Sequence, residues 1–154
     1  MGRASILFAL ALPMTGLAAL AQAMPTGVVT LAALRDRVRP LLIFAPKPDD
    51  PQLEIQLRRL QQNAAVMAER DVLPVAIPYN AQSPTAAMLS DTDAVAARRR
   101  FHVARDEFVV ILVGKDGGEK LRSKEPFSAE TLRTTIDAMP MRQDEMRART
   151  QSKP

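Results

Sequence analysis

Three groups of side chains carry enough charge to do chemistry. Asp49, Asp50 and Glu54 form the first. Neighbouring carboxylates of this kind could hold a cation or share the work of a general acid and base. The same residues also suit the start of a helix. An aspartate accepts from free backbone N–H groups there, Pro51 fits the first helical position, and the helix dipole favours negative charge. Capping alone accounts for their placement, and the spacing is not that of an EF-hand calcium loop. Arg98-Arg99-Arg100 is the densest basic run and could grip phosphate or an acidic partner. Successive helical residues point about 100° apart, so the three cannot share one surface, and at a helix C-terminus they would offset the dipole. The third group is Arg105 and Glu107, with His102 just before them. His102 could act as a base or pH sensor. It stands between Phe101 and Val103, which should point inward, so alternation turns it outward beside Arg100 and Arg105. No serine or cysteine lies near it in sequence to make a nucleophile pair.

Composition removes whole classes of function. The chain has 154 residues, with no cysteine, no tryptophan and one histidine. Thiol–disulfide oxidoreductase and thiol peroxidase chemistry are excluded for lack of cysteine, together with disulfides and iron–sulfur clusters. A single histidine leaves zinc without its usual ligand set. No metal, no cofactor and no catalytic residue is assigned. Lys plus Arg number 21 against 17 Asp plus Glu, a formal charge of +4, and aromatics are 4% of the chain. Nucleic acid is not an expected partner, because neither the charge nor a stacking platform is there for it.

The elements that must position these groups can be read from periodicity. Pro40–Ala45 is a short all-apolar run, as in a fully buried strand. Asp49-Asp50-Pro51 opens a helix in which Leu53, Leu57, Leu60, Ala64 and Met67 recur at three- and four-residue spacing through about Arg70. Val72–Ile77 is a second strand, although Pro74 is awkward in a central position. Asn80–Asp91 is polar and reads as a loop, with Asp91, Thr92 and Asp93 as caps for a helix over Ala94–Phe101. Phe108–Val113 is a third strand. Lys115-Asp116-Gly117-Gly118 makes a tight turn into an antiparallel fourth strand, Glu119–Arg122. Lys115, Lys120, Arg122 and Lys124 ring that hairpin, where charge on an edge strand discourages pairing with other chains. Ser128 caps a last helix bearing Leu132, Ile136 and Met139, and Pro140 ends it. The result is an α/β, three-layer arrangement: a mixed four-stranded sheet with helices on both faces.

Residues 1–23 read as an address. Arg3 is followed by no charge until Arg35, Ile6–Leu20 is apolar, and Ala21-Gln22-Ala23 is a small-x-small exit. That is the three-part pattern of a secretory signal peptide, with cleavage expected after Ala23 and no membrane span left afterwards. Retention as an anchor is the rival reading. Residues 24–39 are then a lead-in with Leu31, Leu34 and Val38 on one helical face, residues 40–140 the domain, and residues 141–154 a charged tail.

Two resemblances follow from these residues. Leu42-Ile43-Phe44 leading to Asp49-Asp50-Pro51-Gln52, then Phe101-His102-Val103, a buried strand, Lys115-Asp116-Gly117-Gly118 and a return strand resemble the thioredoxin fold. Asp49–Gln52 would stand about where that family has Cys-Gly-Pro-Cys, and Glu107 about where it has a substrate-facing cis-proline. Val113–Gly118 and Ile136–Arg142, within a stretch from Pro40 to Arg149, resemble an exported bacterial family known as domain of unknown function 4174. The resemblance implies a thioredoxin-like fold without thiols and brings no established activity. The expected function is a non-redox module, periplasmic or secreted, that binds a protein or envelope component. Its expected binding residues are Asp49, Asp50, Arg98, Arg100, Arg105 and Glu107. A cofactor-independent hydrolase or isomerase working through Asp49, Asp50 and Glu107 is the alternative, and would need one acid with a raised pKa in a cleft. An envelope stress accessory protein is a third reading, by analogy of fold.

Overall fold

Seven consecutive residues, Arg39–Ala45, are all buried, and they form the middle of the sheet. A computed structural model of the chain describes residues 27–79 and 86–152. The signal-peptide segment and part of the expected 80–91 loop lie outside the described residues. In chain order the elements are β1 (Gly27–Val29), α1 (Leu31–Leu34), β2 (Arg39–Ala45), α2 (Pro51–Gln62), α3 (Ala64–Glu69), β3 (Val72–Pro78), β4 (Ala87–Leu89), α4 (Asp91–Arg100), β5 (Val109–Val113), β6 (Glu119–Ser123), α5 (Ala129–Asp137) and α6 (Pro140–Gln151).

The strands form one mixed sheet in the order β1-β4-β3-β2-β5-β6. β1, β4, β3 and β2 are parallel neighbours, while β5 runs antiparallel to both β2 and β6. The sheet therefore has six strands where four were expected. β1 and β4 have three residues each, too few to display a period of two. They extend the sheet by pairing with each other, which no local pattern announces. Pro74 is tolerated because β4 begins to pair with β3 only at Val75, so at Pro74 that side of β3 has no strand partner.

Alternation along β2 sends side chains to two cores. Leu41, Ile43 and Ala45 join Leu53, Leu60, Met67, Leu132 and Ile136 from α2, α3 and α5. Leu42 and Phe44 join Leu34 of α1, Ala97 of α4 and the adjoining Phe101 on the opposite face. The helix expected from Asp50 to Arg70 is interrupted at Asn63, whose side chain donates to Arg59 O at 2.9 Å. Within α2 the fully buried Gln56 spans two elements: Phe127 N donates to its Oε1 at 2.7 Å. α4 starts three residues earlier than expected, because Ser90 caps it by accepting from Asp93 N.

Pro140 does not end the helical region. It occupies the first turn of α6, for which its fixed φ is suited, and the segment read as a charged tail is helical through Gln151. α6 is held through buried arginines. Arg142 is 1% exposed, donates to Glu69 O and pairs with the Glu69 carboxylate at 3.1 Å. Arg39, also 1% exposed, reaches Glu145 of α6. Lys115, expected as a solvent-facing hairpin charge, instead joins Asp71 at 2.9 Å and Glu145 at 2.7 Å. Met139 packs against the first core, and Met141 is exposed.

Candidate functional site

β2 and β3 finish at the same end of the sheet, and the antiparallel β5 begins there. The rim at that end is made by the β2–α2 connection and by the segment leading into β5. Asp50 sits at the mouth of α2 and is largely buried. Its Oδ1 accepts from Gln52 N at 2.9 Å and Leu53 N at 3.3 Å. It is spent as a helix cap, using the donors that a helix start leaves free. Asp49 is exposed and faces Lys47 at 3.5 Å, and Glu54 pairs with Arg58 one turn on.

Glu107 is likewise engaged. Its Oε2 accepts from Ala104 N at 3.0 Å and its Oε1 from Lys124 Nζ at 3.0 Å. The backbone hydrogen bond from Ala104, then the hydrogen bond and charge of Lys124, hold its carboxyl below the ordinary range. Proton-transfer chemistry at this position would require the opposite shift.

The three arginines part company. Arg98 is buried, and its guanidinium closes the end of the sheet: Nη1 donates to Ala104 O at 2.8 Å, and Nη2 to Ala45 O and Ile77 O, both at 2.9 Å. It thereby satisfies carbonyls where β2 and β3 stop pairing. Burial pushes its pKa down, against the pull of the nearby Tyr79. Arg105 is exposed, with its guanidinium 5.3 Å from the Tyr79 ring centre, while Arg98 lies 5.9 Å from the same centre. Arg100 points elsewhere, donating to Gly117 O at 2.6 Å in the β5–β6 turn, which lies at the end where β2 begins. Arg100, one of the expected binding residues, therefore lies at the opposite end of the sheet from Asp49, Asp50, Arg105 and Glu107.

Tyr79 is the residue that the sequence reading missed. It is the sole tyrosine, directly after β3, and ties Arg98 and Arg105 to one ring. His102 is exposed and takes φ 52°, the left-handed conformation that closes α4.

The profile of the family described as domain of unknown function (DUF4174) matches residues 30–145, the span that contains the described strands and helices from α1 into α6. The chain belongs to the DUF4174 family. No protein of curated function matches it in sequence. Solved structures similar to this DUF4174 chain are thioredoxin-like. The reduced 2-Cys peroxiredoxin of Plasmodium vivax superposes with a TM-score of 0.60 at 14% identity, covering 74% of this chain and 72% of that one. Peroxidoxin BcpB of Mycobacterium tuberculosis gives 0.55 at 18%, covering 71% and 84%. A thiol:disulfide interchange protein of the thioredoxin family from Chlorobium tepidum gives 0.53 at 14%, covering 72% and 89%. At these identities the likeness establishes the fold alone. The DUF4174 chain keeps that fold with no cysteine anywhere in its sequence.

Proposed function

We infer that this protein is an exported, non-redox recognition module. It engages a protein or envelope component through the rim formed by Pro46–Asp50 and Arg105–Phe108. The reading is carried by one observation: the rim's Asp50 is engaged as a helix cap and its Glu107 by Ala104 N and Lys124, while Lys47, Asp49 and Arg105 face outward. Carboxylates held by backbone N–H groups in this way cannot move protons without losing local structure, whereas exposed alternating charge favours recognition over reaction. Export is part of the proposal and rests on the Arg3, Ile6–Leu20 and Ala21-Gln22-Ala23 pattern.

The test is crosslinking in envelope extracts with the full chain and a rim variant combining K47E, D49K and R105E. Partners should be lost from the rim variant and retained by K120E, a charge reversal in the β6 hairpin. Equal capture by both variants would sink the proposal.

A further inference from the structure

Beside the rim, between β3, β4 and α4, lies a cavity of about 430 Å³. That volume is within the range of small-molecule sites. Its lining is mixed: Ile77, Met88, Leu89 and Val95 supply apolar surface, and Tyr79, Asp91 and Arg98 supply polar and charged surface. Four residues of α4, namely Asp91, Ala94, Val95 and Arg98, line it at the spacing of one helical face.

Arg98 is the informative group. A guanidinium has five N–H donors, and the carbonyls of Ala45, Ile77 and Ala104 take three of them. Nε–H and one Nη1–H have no protein acceptor among the described residues, and Nε is not sealed from solvent. Arg98 also forms no ion pair among the described residues, although it is 8% exposed and charged. Its other contacts are the faces of Phe44, 5.3 Å from its guanidinium, and Tyr79, 5.9 Å away, neither of which accepts a hydrogen bond in the plane of the fork. A buried cation held by carbonyls and rings gains from an anion that can accept its remaining donors.

We propose that this cavity binds a small monocarboxylate with an apolar body, its carboxylate on Arg98 and its chain along Ile77, Met88, Leu89 and Val95. Asp91 sets the polarity of the far end. It lies two helical turns from Arg98, about 10 Å along the axis, too far for one α-amino acid to bridge them. A second carboxylate on the ligand would meet it unfavourably, so dicarboxylates are selected against. The cavity adjoins the rim through Tyr79, which lines it and carries Arg105 on its ring, but the proposal does not rest on the rim's recognition role.

The test is calorimetric titration of the full chain with octanoate, its neutral isostere octanamide, and suberate, the dicarboxylate of the same length. Octanoate should bind saturably at one site, and each of the other two at least about tenfold more weakly, the scale of a lost charge-assisted contact. R98Q should abolish that preference. Because R98Q also releases strand carbonyls and could unfold the chain, V95W supplies the second variant: Val95 lines the cavity at its half-exposed mouth, where a tryptophan should obstruct entry and leave the bonds of Arg98 in place. V95W should keep the native circular dichroism and lose octanoate binding. Octanamide binding as tightly as octanoate, wild-type affinity in a folded V95W, or no saturable binding of octanoate would each overturn the proposal.

Discussion

Arg39 and Glu145, 106 residues apart in sequence, meet at 2.9 Å. Arg39 opens the central strand and is 1% exposed; Glu145 lies midway along α6. Arg39 also donates to Arg70 O, and Glu145 also accepts from Lys115 in the β5–β6 turn. One carboxylate therefore fastens the C-terminal helix to the central strand and to that turn. A charge removed from water in this way is tolerated only while its partner stays in place.

Glu145→Ala should therefore cost more than a surface substitution. Burial pushes the Glu145 carboxyl up, but the hydrogen bonds and charges of Arg39 and Lys115 outweigh it and bring the pKa from 4.5 down to about 2. A carboxyl depressed on folding stabilises fully above its unfolded value and loses that contribution as pH falls through the folded one. Stability from this group is thus complete above about pH 4.5 and drains away toward pH 2. The depression corresponds to about 3 kcal/mol. Urea unfolding at pH 7 should show a loss of that order in E145A, and the wild-type decline between pH 4.5 and 2 should flatten in the variant. Parallel pH profiles would refute the role given to this pair.

Glu107 should titrate below the ordinary glutamate range, because Ala104 N and Lys124 stabilise its charged form. Carbon-detected NMR titration of the side-chain carboxyl, with K124A as the comparison, measures this directly. The K124A variant should move the midpoint upward. A wild-type midpoint above the ordinary value would revive the hydrolase or isomerase reading.

Asp49 and Asp50 are neighbours with opposite roles, so alanine should separate them. Asp50→Ala removes the acceptor for Gln52 N and Leu53 N and should cost about 1 kcal/mol. Asp49→Ala breaks one exposed pair with Lys47 and should stay within about 0.5 kcal/mol of wild type. Chemical denaturation of the two variants side by side is the measurement. Equal losses would contradict the capping assignment.

Arg98→Met should destabilise through the groups it abandons. Ala45 O, Ile77 O and Ala104 O would lose a charged donor at the closed end of the sheet. Ala45 O keeps Tyr79 N and Ala104 O keeps Glu107 N, so the cost is that of the lost charged hydrogen bonds, at about 1.5–3 kcal/mol each, and a loss of at least about 2 kcal/mol is expected. Thermal unfolding followed by circular dichroism reads it. Amide exchange should quicken first at the ends of β2 and β3, the strands these carbonyls terminate.

Features whose cause is local are legible in the residues alone. Strand β2 announces itself because Pro40–Ala45 is apolar throughout. The start of α2 does so because aspartate before proline satisfies orphan N–H groups wherever it occurs. The absence of thiol chemistry needs no coordinates at all, since no sulfur nucleophile exists to be positioned. Tertiary structure alone decided what depends on distant partners. β1 and β4 are strands because each offers the other an open edge, and neither has enough residues to carry a pattern. Residues 140–151 are polar by composition, and only the meeting of Arg39 and Lys115 with Glu145, and of Arg142 with Glu69, makes them a docked helix. Arg98 and Arg100 look alike in sequence, yet one closes the sheet beneath the rim while the other braces the far turn. Side-chain direction around a helix, together with the element each side chain meets, separates them, and burial then turns an ordinary surface charge into a structural one.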